Sequence, residues 1–144
     1  MSLRNIKLEQ WAMRYARLAL GASFLWGVAS RFGLGGSVGY GNFANFERYT
    51  AQVNSFMPAF TIPFLAWAAT VCELVFGIAL IAGVWLRWAA WGSAVLLLLF
   101  GSAMAISFGI HSPLDYSVFS ASAAAVLLAL ATPMPHEERS APRQ

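Results

Sequence analysis

Glu73 is an acid placed where an acid is costly. It lies inside an apolar run from Ile62 to Trp85 that Arg87 closes. A carboxylate at the centre of a membrane-spanning helix costs at least about 2.5–3.5 kcal/mol unless it is protonated or partnered. Two uses would repay that cost: a polar pocket that holds a ligand headgroup or relays a proton, or a satisfied contact between helices. Counted from the inner boundary at about 1.5 Å per residue, Glu73 and Ser23 both come at a depth of about 18 Å. Ser23 is therefore the expected hydrogen-bond partner, with Ser102 and Ser120 at similar levels, and Arg17 is the nearest cation in depth. Arg31, Trp26 and Trp67 are further candidates for lining the pocket. His111 and Asp115, four apart at the outer surface, would be within reach of a quinone headgroup or an extracytoplasmic partner, although Asp115 also suits helix capping. The lone Cys72 beside Glu73 reads as a small apolar residue.

The elements that must position these residues follow from composition. Of 144 residues, 59% are hydrophobic and 10% charged. A soluble domain of this size could not hide so much apolar surface, whereas lipid removes the need to. The net charge of +3 is no sign of nucleic-acid binding, since the basic residues are few and stand at the ends of apolar runs. Hydrophobic runs predict an all-α integral membrane protein, a bundle of four transmembrane helices over about 11–31, 62–85, 88–107 and 114–132, forming one domain over 1–144. The strongly apolar part of the first, Leu18 to Ala29, is shorter than a full crossing, so Arg14 and Arg17 must snorkel towards inner headgroups. A secretory signal peptide ending near Val28-Ala29-Ser30 is the competing reading of that segment. Between the first two spans, Gly33 to Gly41 suits irregular backbone. Asn42 then offers an N-cap, and Phe43, Phe46, Thr50 and Val53 recur at helical spacing, predicting a short amphipathic helix on the outer surface that Met57-Pro58 ends. Ser112-Pro113-Leu114-Asp115 has the form of a capping box opening the fourth span, and Pro133 and Pro135 close it.

Orientation comes from the basic residues. Arg4, Lys7, Arg14, Arg17, Arg87, Arg139 and Arg143 fall on one side, and Arg31 and Arg48 on the other; seven against two predicts cytoplasmic termini. Small residues spaced by four mark packing stripes: Ala19, Ser23 and Gly27; Ala69, Glu73 and Gly77; Gly101, Ala105 and Gly109; Ser117, Ala121, Ala125 and Ala129. His111 and His136 fall on opposite sides of the predicted membrane, so they could not ligate a buried haem together. The sequence contains no P-loop, dinucleotide fingerprint or metal-ligand cluster, and one cysteine allows no intrachain disulfide.

At this level the chain resembles the DoxX family of small four-helix bacterial membrane proteins, in the wider group with DoxD and MauE. The likeness runs from about Arg14 to Ala131. It rests on Arg17-Leu18-Ala19-Leu20-Gly21, leading through Phe24-Leu25 and Gly27 to Arg31, and on Glu73-Leu74-Val75-Phe76-Gly77 through Gly83 to Arg87. The second segment is similar to the family's acid–glycine–glycine–arginine signature, while Arg31 stands where lysine is usual. The resemblance implies a bacterial inner-membrane subunit associated with redox chemistry, with a quinone as the cofactor it leaves open. The expected function is an accessory or membrane-anchor subunit of a quinone-linked oxidoreductase complex, with lipid and protein partners and no catalysis by the isolated chain. Glu73, Arg17, Ser23, Arg31 and His111 would then line a polar or quinone-facing site. The alternatives are a stand-alone protein that binds a quinone or other lipophilic ligand, and a purely structural subunit of a larger electron-transfer assembly.

Overall fold

A computed structural model of the chain describes residues 3–36 and 38–133, with side chains from Ile6 onward. Arg139, Arg143 and His136, used above for orientation and haem, lie outside the described residues, as do Pro135 and the side chain of Arg4. The described residues form helices and connecting turns: α1 (Leu3–Arg31), α2 (Phe43–Val53), a single 3₁₀ turn (Ala59–Thr61), α3 (Ile62–Ala82), α4 (Leu86–Phe108), α5 (His111–Asp115) and α6 (Val118–Ala131). Among them, Ala59–Ala82 and Leu86–Phe108 are long and apolar enough to cross a membrane, whereas α6 is apolar but shorter.

Local chemistry explains most of the boundaries. Asn42 caps α2 as expected, its side-chain oxygen accepting from Asn45 N at 2.9 Å. The helix stops at Val53, before Met57-Pro58, with the Asn54 backbone N–H turned back to the Thr50 carbonyl. Pro63 sits in the first turn of α3, where its missing N–H costs nothing, and Gly83 ends that helix in the left-handed region at φ 74°. The expected capping box does not form. Ser112 and Pro113 are buried within the short α5, which shows no side-chain cap, and Ser117 at φ 54° breaks the path before α6 begins. The segment predicted as one fourth span is therefore two helices, the longer covering about 21 Å at 14 residues.

The helices pack as antiparallel neighbours. Leu20, Phe24, Ala79, Leu80, Ala90, Ala94, Ala125 and Leu128 form the buried core of α1, α3, α4 and α6. Ser122 Oγ donates to the Ala94 carbonyl at 2.8 Å, and Arg87 Nη1 donates to the Thr132 carbonyl at 3.0 Å, tying α6 to α4 at two levels. Ser107 Oγ donates to the Val53 carbonyl at 2.6 Å and holds the end of α2 against the end of α4. The outward faces are as apolar as the core, with Phe60, Phe64, Trp85, Trp88, Ile106 and Leu127 all more than 65% exposed. A soluble monomer does not carry so much open hydrocarbon, and a lipid-facing bundle does.

The α1–α3 seam depends on glycine. A Cβ on Gly21 would lie 2.7 Å from Ile81 Cγ1 and 3.0 Å from the Gly77 carbonyl oxygen, and the second of these is backbone that cannot step aside. Small residues allow this approach, as membrane helix pairs require. Gly21→Leu is expected to push α1 away from α3 and to cost about 1–3 kcal/mol, the range for overpacking. Unfolding in mild detergent, compared with Ala22→Leu on the exposed neighbouring position, checks it. Equal stability of the two variants would remove the seam from the account.

Candidate functional site

The seam also fixes which residues meet across α1 and α3. Arg17 lies against Gly83, Gly27 beside Glu73, and Arg31 against Thr70. The two helices therefore do not end flush. Arg31, the last residue of α1, stands level with Thr70, eight residues into α3 from Ile62, or about 12 Å along the helix. The chain turns at that depth through the glycine-rich loop, where Gly41 N donates to the Ser30 carbonyl at 3.1 Å.

Because α1 stops there, its terminal arginine meets the acid of α3. Arg31 Nη2 donates to both carboxylate oxygens of Glu73, at 2.6 and 2.7 Å. Arg31 Nη1 donates to Thr70 Oγ1 at 2.8 Å, and that hydroxyl donates in turn to the Ala66 carbonyl at 2.8 Å. Arg31, Thr70 and Glu73 are each 4% exposed. Such a pair is held by its attraction in a medium of low dielectric constant, and it repays its desolvation only when further hydrogen bonds satisfy both groups. Here Thr70 supplies one, while Arg31 Nε is buried with no partner among the described residues. Gly27 makes the room: a Cβ there would lie 3.0 Å from Glu73 Oε2.

α2 closes the site from above. The Phe46 ring stacks against the guanidinium with its centroid 3.7 Å from Arg31 Cζ, a cation–π contact strengthened by burial. Tyr40 packs edge-on against Phe46 at 5.0 Å, and Phe43 bridges to Trp67 on α3 at 4.4 Å. The apolar stripe of the amphipathic helix, with Phe46, Thr50 and Val53 buried, therefore faces the ion pair and the bundle.

Tyr40 records how closed this cap is. Its phenol, in the loop outside the predicted spans, is pushed up from 10.0 to about 12, first by burial and then by neighbouring Tyr49, with Arg31 pulling the other way. The neutral phenol is the form the fold favours. Its contribution is complete below the unfolded value near 10 and is lost as pH rises through about 12. A phenolate absorbance titration of the native chain minus that of Tyr40→Phe should show one tyrosine ionising late. Ionisation at the ordinary value would mean that the cap is open to water.

The predicted site residues are thus divided. Glu73 and Arg31 meet, but Ser23 and Arg17 are not partners of the acid. Ser23 is exposed and bonds back to the Ala19 carbonyl at 2.9 Å, and Arg17 lies at the other end of the seam, 3.5 Å from the Ile81 carbonyl. His111 is exposed on α5, and Trp26 and Trp67 are half-exposed. Thr70 and Phe46 complete the site beyond the residues that the sequence predicts. Thr70 lies three before Glu73 on the same helix face, a signal present in the sequence.

Residues 9–134 match the model of the family described as methylamine utilisation protein MauE. No curated protein and no solved structure shows a significant match to the chain.

Proposed function

We propose a function from two premises: the chain belongs to the MauE family, and its buried polar centre is an ion pair formed between its own residues. It is a membrane protein, and its role is that of an accessory or anchoring subunit of a redox-linked membrane complex, the quinone-linked oxidoreductase class being our specific reading. The carrying observation is the Arg31–Glu73 pair, joined by Thr70 and covered by Phe46. A general acid, proton relay or nucleophile must be presented to its substrate, whereas this carboxylate is held by a cation and enclosed. Such a centre supports a framework that fixes two helices and a surface helix for other chains to use.

The same reading places α1, α3, α4 and the α5–α6 pair across the bacterial inner membrane, with α2 on its outer face and the termini in the cytoplasm. What supports it is the apolar outward face of the bundle and the asymmetry of the basic residues. Because α1 ends below the level where α3 begins, its crossing is completed by the glycine loop and the aromatic cap rather than by helix alone.

Native purification in mild detergent tests the function. Redox proteins should accompany the chain, and they should be retained by Glu73→Gln to the extent that this variant folds. A monodisperse lone chain carrying no partner would count against the accessory role. A quinone carried through by the native chain and lost from a folded Glu73→Gln variant would replace that role with ligand binding. Reporter fusions at the two termini check the topology.

A further inference from the structure

The opposite end of the α1–α3 seam holds a second polar centre that the ion pair does not use. A cleft of about 280 Å³ opens there between α1 and the facing ends of α4 and α6, lined by Gln10, Met13, Arg14, Arg17, Leu86, Thr132 and Pro133. Arg14 and Arg17 both line it, and none of its lining residues among those described is acidic. Arg17 is half-buried, packed against the Cα of Gly83, whose positive φ admits no easy side chain. Its Nη2 reaches the Ile81 carbonyl only at 3.5 Å, the limit of a hydrogen bond, and its buried Nε has no partner among the described residues. Arg14 lies over the Trp11 ring at 5.4 Å, which holds it beside the cleft without neutralising it. Arg87 stands behind the wall, bonded to the Thr132 carbonyl. Met13, Leu86 and Pro133 add apolar wall, and Gln10 and Thr132 complete the lining.

We propose that this cleft is a phosphate site for the headgroup of an anionic lipid. Its two arginines take the phosphate oxygens by charge-assisted hydrogen bonds, and its apolar walls take the start of an acyl chain. The level of the cleft agrees with this. Arg17 lies opposite Gly83, the C-terminal end of an apolar helix long enough to cross a membrane, so the guanidinium stands where headgroups would lie. The predicted orientation makes this the cytoplasmic leaflet, where anionic lipid attracts basic side chains. A free phosphate ion offers the same oxygens without the chain.

The full chain is delipidated in mild detergent and offered phosphatidylglycerol, phosphatidylcholine or inorganic phosphate, with bound species counted by native mass spectrometry. The native chain should hold phosphatidylglycerol in preference to phosphatidylcholine. Each arginine neutralised should weaken that retention about fivefold. R14Q/R17Q should therefore lose it, R14K/R17K should keep most of it, and R48Q on the other face should not change it. Met13→Trp, which fills the cleft and leaves both arginines, should lose it as well, so the test survives if R14Q/R17Q does not fold. Inorganic phosphate bound in place of phosphatidylglycerol, and lost in R14Q/R17Q, would retain the phosphate site and assign it to the free ion. Equal retention of the two lipids with no phosphate bound, or retention unchanged in both cleft variants, would overturn the proposal. The series is repeated with E137Q/E138Q, because those acids follow Pro133 closely in sequence. A preference that appears only in that background would show that the tail, not lipid, occupies the cleft, and would overturn the proposal too.

Discussion

Glu73→Ala should be the most destabilising single change in the chain, by about 3–5 kcal/mol, because it leaves the Arg31 guanidinium buried and unpaired. With both residues 4% exposed, water does not reach the remaining charge without opening the fold. The guanidinium would keep the Thr70 hydroxyl and the Phe46 ring and lose both of its bonds to the acid. Removing both charges has a different consequence. Arg31→Met with Glu73→Leu exchanges the pair for apolar side chains of comparable size, and replacements of that kind are often neutral or stabilising by about 1–4 kcal/mol. The double variant should therefore recover most of what either single variant loses. A double-mutant cycle, read by denaturant or thermal unfolding in one detergent, makes the comparison. Additive losses would show that the two side chains do not meet in the folded protein.

Phe46→Ala should follow, with a loss of about 3–5 kcal/mol. Phe46 is 5% exposed and touches three things at once: the Arg31 guanidinium, the Tyr40 ring and the Phe43 ring. Truncation leaves a cavity between α2 and the bundle and removes a cation–π contact worth about 2 kcal/mol when desolvated. Phe46→Leu separates the two contributions, since it fills much of the space and lacks the ring face. Leucine should recover most of the packing and leave a deficit of about the cation–π value. Unfolding measurements give the totals, and protease cleavage at the exposed Arg48 reports whether α2 has lifted. If alanine at 46 leaves cleavage and stability unchanged, α2 does not close the site.

The acid itself was legible, because only one of the six acidic residues falls inside a long apolar run. So were the amphipathic helix, its Asn42 cap and the Glu73–Gly77 face of α3, which depend on short-range periodicity. The partner of Glu73 was not legible by counting depth. That count assumes helices that begin and end at common planes, and α1 does not. Close contact at Gly21 and Gly77 sets α1 along α3 so that its last residue lies eight positions below Ile62, the first residue of its neighbour. Ser23, at the counted depth, then faces away, and Arg31, assigned to the outer surface, falls beside the acid. The single fourth span that the sequence predicts is broken for a related reason. Ser112, Pro113 and Asp115 satisfy a local rule for a helix start, but Ser112 and Pro113 are buried. Of the wider resemblance, the MauE family is what the match supports.

On the proposed topology, pairing the two charges inside the bundle also determines how the protein responds to an energised membrane. One elementary charge moved through the field gains or loses about 2.3 kcal/mol per 100 mV, enough to reshape a helix bundle that carries it alone. Arg31 and Glu73 are bonded at 2.6 Å, so at that depth the field acts on a short dipole of zero net charge. Charging or collapsing the membrane potential then does almost no work on the joint between α1 and α3. The same joint with either residue neutralised would carry a single charge in the field, and its stability would vary with the voltage.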